Sequence, residues 1–342
     1  MKRIAVLTGG GDVPGLNAAI RAVVRRAGEK GLEVIGVRDG WRGLMADDIV
    51  PLSRDAISGI LPKGGTILGT SRTNPLREAD GIARIKATLA RRGIDAIVAI
   101  GGDDTLGAAC HLSHQGVAVV GIPKTMDNDV RGTDVTIGFD TAVNAVMDAV
   151  DRLHSTTESH HRIMVVEVMG RDAGWVAAAG GLAGGADAVL VPEAPFDLEE
   201  VCAALRRRQA TGRRFSIVVV AEGAVPKDGG TQIVQDAPVD AFGHARLGGI
   251  GAVLAREIER RLEVETRATV LGHVQRGGSP SAFDRILATR FGVAAVDELA
   301  AGRTGVMVAL RGTAIVTTPL DDVIKGTRTL DPAIGALTRL FW

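Results

Sequence analysis

Two acids stand two residues apart in Pro123-Lys124-Thr125-Met126-Asp127-Asn128-Asp129. One carboxylate of such a pair can accept a proton from a substrate hydroxyl while the other touches a metal ion. Lys124 and Thr125 add a cation and a hydroxyl to the same segment. That mixture suits phosphoryl transfer, where charge neutralisation and positioning do most of the work. The plainer reading of Asp127 and Asp129 is a pair of Asx turns. A second acid pair, Asp103-Asp104, follows Gly101-Gly102. Mg²⁺ takes hard oxygen ligands, usually one or two carboxylates plus substrate phosphates, so Asp103 is a candidate metal anchor. Its plainer job would be to cap the next helix.

A third segment, Gly9-Gly10-Gly11-Asp12-Val13-Pro14-Gly15, has glycines where side chains would block a ligand. Its backbone N–H groups could face an anion at the start of a helix near Gly15 or Leu16. No GK[ST] follows, so it is not a Walker A loop, and Pro14 replaces the last glycine of a GxGxxG loop. Read alone, it is a tight strand–helix turn. Arg72, Arg162, Arg171, Arg267 and Arg276, with His273, complete the set. Arginine grips phosphate through a planar fork of donors. Each alone reads as a solvated charge; grouped near glycine-rich loops, they point to two or more phosphate sites. The other histidines carry less. His111 and His114 share an i,i+3 spacing on an expected helix without an evident third ligand, and His160-His161 do not face one way.

These loops need elements to hold them. Short Val- and Ile-rich runs at Ile4–Leu7, Val34–Val37, Ala96–Ile100, Val117–Ile122, Ile163–Val168, Ala188–Val191 and Ile217–Ala221 read as buried strands. Leu16–Lys30, Ile82–Arg92, Ala142–Leu153 and Glu199–Gln209 carry apolar residues at helical spacing between them. This alternation predicts parallel sheets covered by helices on both faces, with ligands at the carboxyl ends of the strands. The candidate loops follow those ends, as do Met169-Gly170-Arg171 and Glu222-Gly223. The Gly/Pro-rich stretch Val225–Gly251 reads as a surface insertion.

Composition narrows the field. A chain of 342 residues suits about two domains. At 46% hydrophobic and 23% charged it can pack a core. Forty Lys+Arg balance forty Asp+Glu, so no global field gathers nucleic acid or anionic lipid. Aromatics are 3%, with no tyrosine, too few for a base-stacking platform. Glycine, at 45 residues, is roughly twice the usual share. The two cysteines, Cys110 and Cys202, form neither a disulfide framework nor a CxxC pair. No apolar run approaches a transmembrane length of about 20 residues, and no signal-peptide pattern opens the chain. The expectation is a soluble cytoplasmic α/β protein without nucleic-acid or membrane partners.

Taken together, the loops resemble the phosphofructokinase family, in order and through nearly the whole chain. The carriers are Gly9–Asn17, Gly101–Asp104, Pro123–Asp129, Val168–Arg171, Ala221–Gly223 and Arg267–Gly278, the third and last being highly specific. The family transfers a phosphoryl group to the 1-hydroxyl of fructose 6-phosphate. The resemblance implies two Rossmann-like α/β domains with mostly parallel sheets and an active site in the cleft between them. A donor-binding domain would span 1–138 plus about 275–325, and a sugar-phosphate domain 139–274 plus about 326–342. It implies Asp127 as general base, with Thr125 beside the transferred phosphoryl and Arg171 stabilising its charge. Asp103 would anchor Mg²⁺, with Asp129 nearby. Gly11 and Arg72 resemble donor contacts. Met169, Gly170, Glu222, His273 and Arg276 resemble the sugar-phosphate pocket. Arg162 and Arg267 match arginines supplied across a subunit interface, which implies an oligomer. Arg21, Arg25, Arg54, Asp187, Arg213 and Arg214 lie near positions resembling the effector site of regulated relatives, although a set of surface charges is the simpler reading.

Two positions depart from the family's ATP-using pattern. Asp104 stands where those members have glycine against the donor's α-phosphate, and Lys124 where they commonly have glycine. Two like charges ~4 Å apart cost on the order of 4 kcal/mol at an effective dielectric of 20. About 1.4 kcal/mol already makes a tenfold affinity change. Asp104 should therefore repel an α-phosphate, while Lys124 could neutralise a phosphate lacking a nucleoside. Pyrophosphate-dependent members resemble this chain in carrying both residues. Lysine alone also occurs in some ATP-using relatives, so Asp104 decides the donor. The leading expectation is a family member fed by pyrophosphate; ATP is the alternative donor. A non-catalytic sugar-phosphate or nucleotide sensor would have no need of a base. An NAD or lipid kinase would lack the Thr-x-Asp-Asn-Asp and His-x-x-Arg loops.

Overall fold

β-Branched runs bounded by glycine can bury both faces only inside a covered parallel sheet. A computed structural model, which describes residues 1–227, 248–340 and 342, folds these runs into two sheets. The strands are β1 (Arg3–Thr8), β2 (Glu33–Val37), β3 (Ile49–Pro51), β4 (Ala96–Gly101), β5 (Ala118–Pro123), β6 (Ile163–Val168), β7 (Ala188–Leu190), β8 (Ser216–Ala221), β9 (Thr266–Val270), β10 (Val306–Arg311) and β11 (Ala314–Pro319). Most of the expected Val225–Gly251 insertion, residues 228–247, lies outside the described residues. Among the described residues, no helix is long and apolar enough to cross a membrane.

The chain divides into two units. One contains Met1–Met126, Val130–Thr141 and Arg276–Thr327; the other contains Asp127–Asp129, Ala142–Gln275 and Arg328–Trp342. The first has a seven-stranded sheet ordered β11-β10-β5-β4-β1-β2-β3. Its middle strands run parallel, but β3 and β11 run antiparallel to their neighbours, so the sheet is mixed at both edges. The three-residue β3 is too short to leave a periodic signal, and β11 is mostly solvent-facing. The chain moves from β1 to β2 on one side and returns to β4 on the other. Loops leaving adjacent strands in opposite directions open a ligand crevice at their carboxyl ends. The loops after β1 and β4 are the two glycine-rich segments, joined where Gly9 N–H donates to Ile100 O at 2.9 Å.

Apolar faces of the helices Gly81–Arg92 and Asp103–His114 cover one side of this sheet, burying Ile85, Leu106 and Leu112 against Leu7 and Ile97. Each such side chain contributes roughly 1.5–3 kcal/mol by leaving water. The helices Leu16–Glu29 and Ala282–Ala300 pack so closely that a Cβ on Gly292 would lie 2.7 Å from Ala19 O. Asp284, fully buried, accepts from Gly138 N–H at 2.9 Å, Thr141 N–H at 2.8 Å and the Thr141 hydroxyl. It thereby satisfies donors at the start of the long helix Phe139–His160, which would otherwise be orphaned. Burial pushes its carboxyl up to about 6 against these bonds.

The second unit has a fully parallel sheet ordered β7-β8-β6-β9. Val165, Val218 and Val220 pack against Leu205 and Leu254. The buried Glu167 in β6 accepts from Gly249 N–H at 3.0 Å and Gly251 N–H at 2.8 Å. A buried carboxylate is tolerable there because it faces the positive end of the Ile250–Leu262 helix.

Candidate active site

In the first unit the donor-type loop is built around a buried cation. Lys124, only 2% exposed, donates from Nζ to Gly9 O at 2.9 Å and to Gly11 O. A buried ammonium must be hydrogen-bonded, so Lys124 ties the end of β5 to the turn after β1. Gly10 adopts φ 77°, and its N–H donates to Ser71 O at 3.0 Å. The neighbouring Arg72 is exposed on that segment. A Cβ on Gly11 would meet Arg276 Nη1 at 2.7 Å, so the guanidinium lies directly against this glycine. Arg276 thus stands beside Gly11 in the first unit. Thr125 is half-buried, and its carbonyl accepts from Thr136 Oγ1 at 2.6 Å.

Asp103 and Asp104 open the helix Asp103–His114, but the cap is Gly102. The capping alternative for Asp103 is therefore replaced by a first-turn position, where the helix dipole favours a carboxylate. Asp103 is exposed and Asp104 half-buried. Both line a cavity of about 290 Å³, together with Asn74, Leu76, Val323 and Ile324. Asp103 offers an accessible hard oxygen donor, which is the ligand type Mg²⁺ takes.

In the second unit the Asp127–Asp129 loop is held by a residue from the chain's end. Arg328 N–H donates to Asp129 O at 2.7 Å, and its Nη1 donates to Asn128 O at 3.1 Å. The Arg328 guanidinium lies 4.0 Å from the centre of the Trp175 ring, and Trp175 Nε1 donates back to Arg328 O at 3.2 Å. These bonds assign residues 127–129 to the second unit, although the chain around them belongs to the first. Asn128 adopts φ 53°, a left-handed conformation that asparagine accepts at modest cost. Neither Arg328 nor Trp175 was marked by any sequence motif.

Met169, Gly170 and Arg171 follow β6, and Glu222 follows β8. Gly170 has φ 142°, and a Cβ on Gly223 would lie 1.9 Å from Arg171 O, so both positions require glycine. Glu222 N–H donates to Val168 O at 2.9 Å. Burial, then the nearby charge of Asp127, pushes the Glu222 carboxyl up to about 7. The Gly170 N–H and the Arg171 charge oppose that rise. His273 is exposed in the short turn Gly272–Arg276. The fully buried Gln275 accepts from Met169 N–H at 3.4 Å and donates to Gly272 O at 3.0 Å, linking the loops after β6 and β9.

With that geometry in place, comparison with known proteins is informative. The profile of the phosphofructokinase family, described as Phosphofructokinase, matches residues 3–299. The chain belongs to the phosphofructokinase family. It is 56% identical over 334 residues to the pyrophosphate–fructose 6-phosphate 1-phosphotransferase of Streptomyces coelicolor, covering 97% of each chain. It is 52% identical over 332 residues to the ATP-dependent 6-phosphofructokinase 3 of the same organism, again covering 97% of each. A solved phosphofructokinase from Saccharomyces cerevisiae matches all of this chain at TM-score 0.85 and 32% identity. This chain spans 47% of the yeast chain.

In this family member Arg162 and Arg267 lie apart from the Met169–Arg171 loop. Arg162 Nε donates to Glu265 Oε2 at 2.7 Å, and Arg267 Nη2 to Glu265 Oε1 at 2.8 Å. One carboxylate, held below its usual range chiefly by Arg162, therefore gathers both arginines. They sit at the amino ends of β6 and β9, whereas Met169–Arg171 sit at the carboxyl end of β6. A six-residue strand separates them by roughly 20 Å. The effector-like Asp187 is already engaged, accepting from Ile217 N–H at 2.8 Å and pairing with Arg208 at 3.0 Å.

Arg328→Ala should loosen the Asp127 loop. Amide exchange at 127–129 should quicken, and kcat for phosphoryl transfer should fall by about tenfold or more, about 1.4 kcal/mol of transition-state stabilisation. Arg328→Lys, which keeps charge but loses the flat stack, should recover only part of this. Unchanged exchange and turnover in Arg328→Ala would show that the loop holds itself.

Glu222 generates a pH prediction. The fold keeps its proton up to about pH 7, while the unfolded chain releases it near 4.5. Between those values the native state binds more protons, so this group makes stability fall as pH rises. Glu222→Gln should remove that decline, at most about 3 kcal/mol. Urea unfolding of both proteins from pH 4.5 to 8 measures it; parallel profiles would contradict it.

Proposed function

We propose that this chain transfers a phosphoryl group from pyrophosphate to the 1-hydroxyl of fructose 6-phosphate, giving fructose 1,6-bisphosphate and phosphate, reversibly. The observation that carries the donor choice is Asp104, a half-buried carboxylate in the wall of the cavity at the start of the helix Asp103–His114. An α-phosphate brought there would meet like charge in a partly desolvated place. Lys124 places a cation directly under the Gly9–Gly11 turn, where the two phosphates of pyrophosphate need neutralising. The ATP-dependent alternative would have to seat an α-phosphate against the same carboxylate. Charge at Asp104 is then what disfavours ATP.

In this reading Asp127 takes the proton from the 1-hydroxyl, with Arg328 keeping its loop in place. Thr125 lies beside the transferred phosphoryl, and Arg171 offsets its developing charge. Glu222, Met169 and Gly170 receive the sugar, and His273 and Arg276 its phosphate. Gly11 and Arg72 serve the donor. Asp103, with Asp129, would hold Mg²⁺. When bound, that ion neutralises charge on the transferring phosphoryl group. A cytoplasmic location is part of the proposal, in keeping with two buried free thiols.

We also propose self-association with active sites shared across a subunit interface. Arg162 and Arg267 lie a strand's length from their own chain's Met169–Arg171, so they fit service to a neighbour's sugar phosphate. Exposed apolar side chains support an interface here. Val270 on the edge strand β9 is 56% exposed, and Val274 just after it is 75% exposed.

The donor is tested by comparing pyrophosphate and ATP with fructose 6-phosphate and Mg²⁺. Pyrophosphate should give the higher kcat/KM. Asp104→Gly should raise the ATP-to-pyrophosphate ratio of kcat/KM by about tenfold or more, at least ~1.4 kcal/mol. A folded variant with an intact sugar-phosphate site and no such rise would place the donor choice elsewhere.

Subunit sharing is tested by mixing inactive Arg162→Ala chains with inactive Asp127→Asn chains. Hybrids should regain activity, because one of their sites contains both intact groups. Failure to recover after verified subunit exchange would mean that both residues act within one chain.

A further inference from the structure

Cys110 and His114 are four residues apart on the helix Asp103–His114, so both project from one ridge. Their sequence spacing gives two potential ligands and no third. The fold supplies it from the far end of the unit. Asp321, in the short helix Leu320–Val323, accepts from His114 Nε2 at 2.9 Å, and Cys110 Sγ lies 3.6 Å from the same Oδ1. The sulfur, nitrogen and oxygen all lie within 4.8 Å of one another. Among the described residues this is the group of His, Cys and acidic side chains gathered closely enough to hold a metal ion.

We propose that Cys110, His114 and Asp321 form a binding site for a borderline-soft divalent cation, Zn²⁺ foremost, separate from the Mg²⁺-type carboxylates of the candidate active site. One sulfur, one imidazole nitrogen and one carboxylate oxygen match the donors Zn²⁺ takes. Tetrahedral Zn²⁺ with its usual bond lengths holds neighbouring donors about 3.3–3.8 Å apart. The Cys110–Asp321 distance already falls in that range. The His114–Asp321 contact must open by about half an ångström, which rotation of two exposed side chains provides. Water would take the fourth position. Burial pushes the Cys110 thiol up to about 11, so it is protonated in the metal-free protein. On coordination the thiol proton passes to water and the sulfur binds as thiolate.

The site has a structural consequence. Gly107 and Ala108 on one ligand-bearing helix, and Val323 and Ile324 beside the other, line the cavity containing Asp104. An ion joining Cys110 to Asp321 would pin together two walls of that cavity. An ordinary surface ion pair beside a buried thiol would do nothing of the kind.

The test uses the full chain, purified under reducing conditions, with Zn²⁺ or Co²⁺ as probe and excess Mg²⁺ present. Equilibrium dialysis should find one tightly held Zn²⁺ per chain. Co²⁺ should bring a thiolate-to-metal charge-transfer band in the near ultraviolet. His114→Ala and Asp321→Ala, both at exposed positions, should weaken Zn²⁺ binding by about tenfold or more. Cys110→Ala should abolish the band. Zn²⁺ should also slow amide exchange at 107–110 and 320–324 in the wild type and not in His114→Ala. Should Cys110→Ala fail to fold, the two surface variants still decide the matter. Absence of stoichiometric binding by the wild type, or equal binding by His114→Ala and Asp321→Ala, would overturn the proposal.

Discussion

The buried ammonium of Lys124, held by the carbonyls of Gly9 and Gly11, joins the carboxyl ends of β5 and β1 across the intervening β4. Much of the first unit depends on that arrangement. A lysine this deeply buried would be costly without partners, and backbone carbonyls turned inward satisfy it. Glycine is needed at position 10 because the turn takes a left-handed conformation there, and Arg276 packs against Gly11. The result is a cation beneath a loop without side chains, beside two carboxylates at a helix start. Charge of both signs is thus fixed by backbone geometry rather than by long flexible side chains.

The second unit solves a related problem with carboxylates. Asp127 and Glu222 share a partly buried neighbourhood, and their mutual repulsion helps keep Glu222 protonated to about pH 7. A neutral Glu222 can donate as well as accept, which suits recognition of a sugar hydroxyl. The Asp127–Asp129 loop is anchored through its own backbone carbonyls, which accept from Arg328. Stacking on Trp175 limits the guanidinium's freedom and places its donors in advance.

Strand polarity accounts for the separation of the arginines. In a parallel sheet every loop after a strand gathers at one end, and every residue before a strand lies at the other. Arg162 precedes β6 and Arg267 is near the start of β9, so both fall opposite the Met169–Arg171 loop. Glu265, between them in the chain order of that end, keeps their forks together and pre-oriented. The same polarity brings the glycine-rich loops together in the first unit.

By itself the sequence determined the α/β class, the positions of the longer buried strands and the order of the phosphate-type loops. Those features are local: period, β-branching and glycine at strand ends act over a few residues. The short β3 and the edge strand β11 left no comparable signal, because edge strands are half solvated and their pairing is decided elsewhere in the chain. Only the tertiary structure decided that Arg276 stands beside Gly11, that Arg328 clamps Asn128 and Asp129, and that Asp321 meets Cys110 and His114. Each of these contacts joins residues roughly two hundred or more positions apart. Nothing in the spacing along the chain encodes such a meeting; it follows from which strands pair and which helix faces pack, and those are properties of the assembled core.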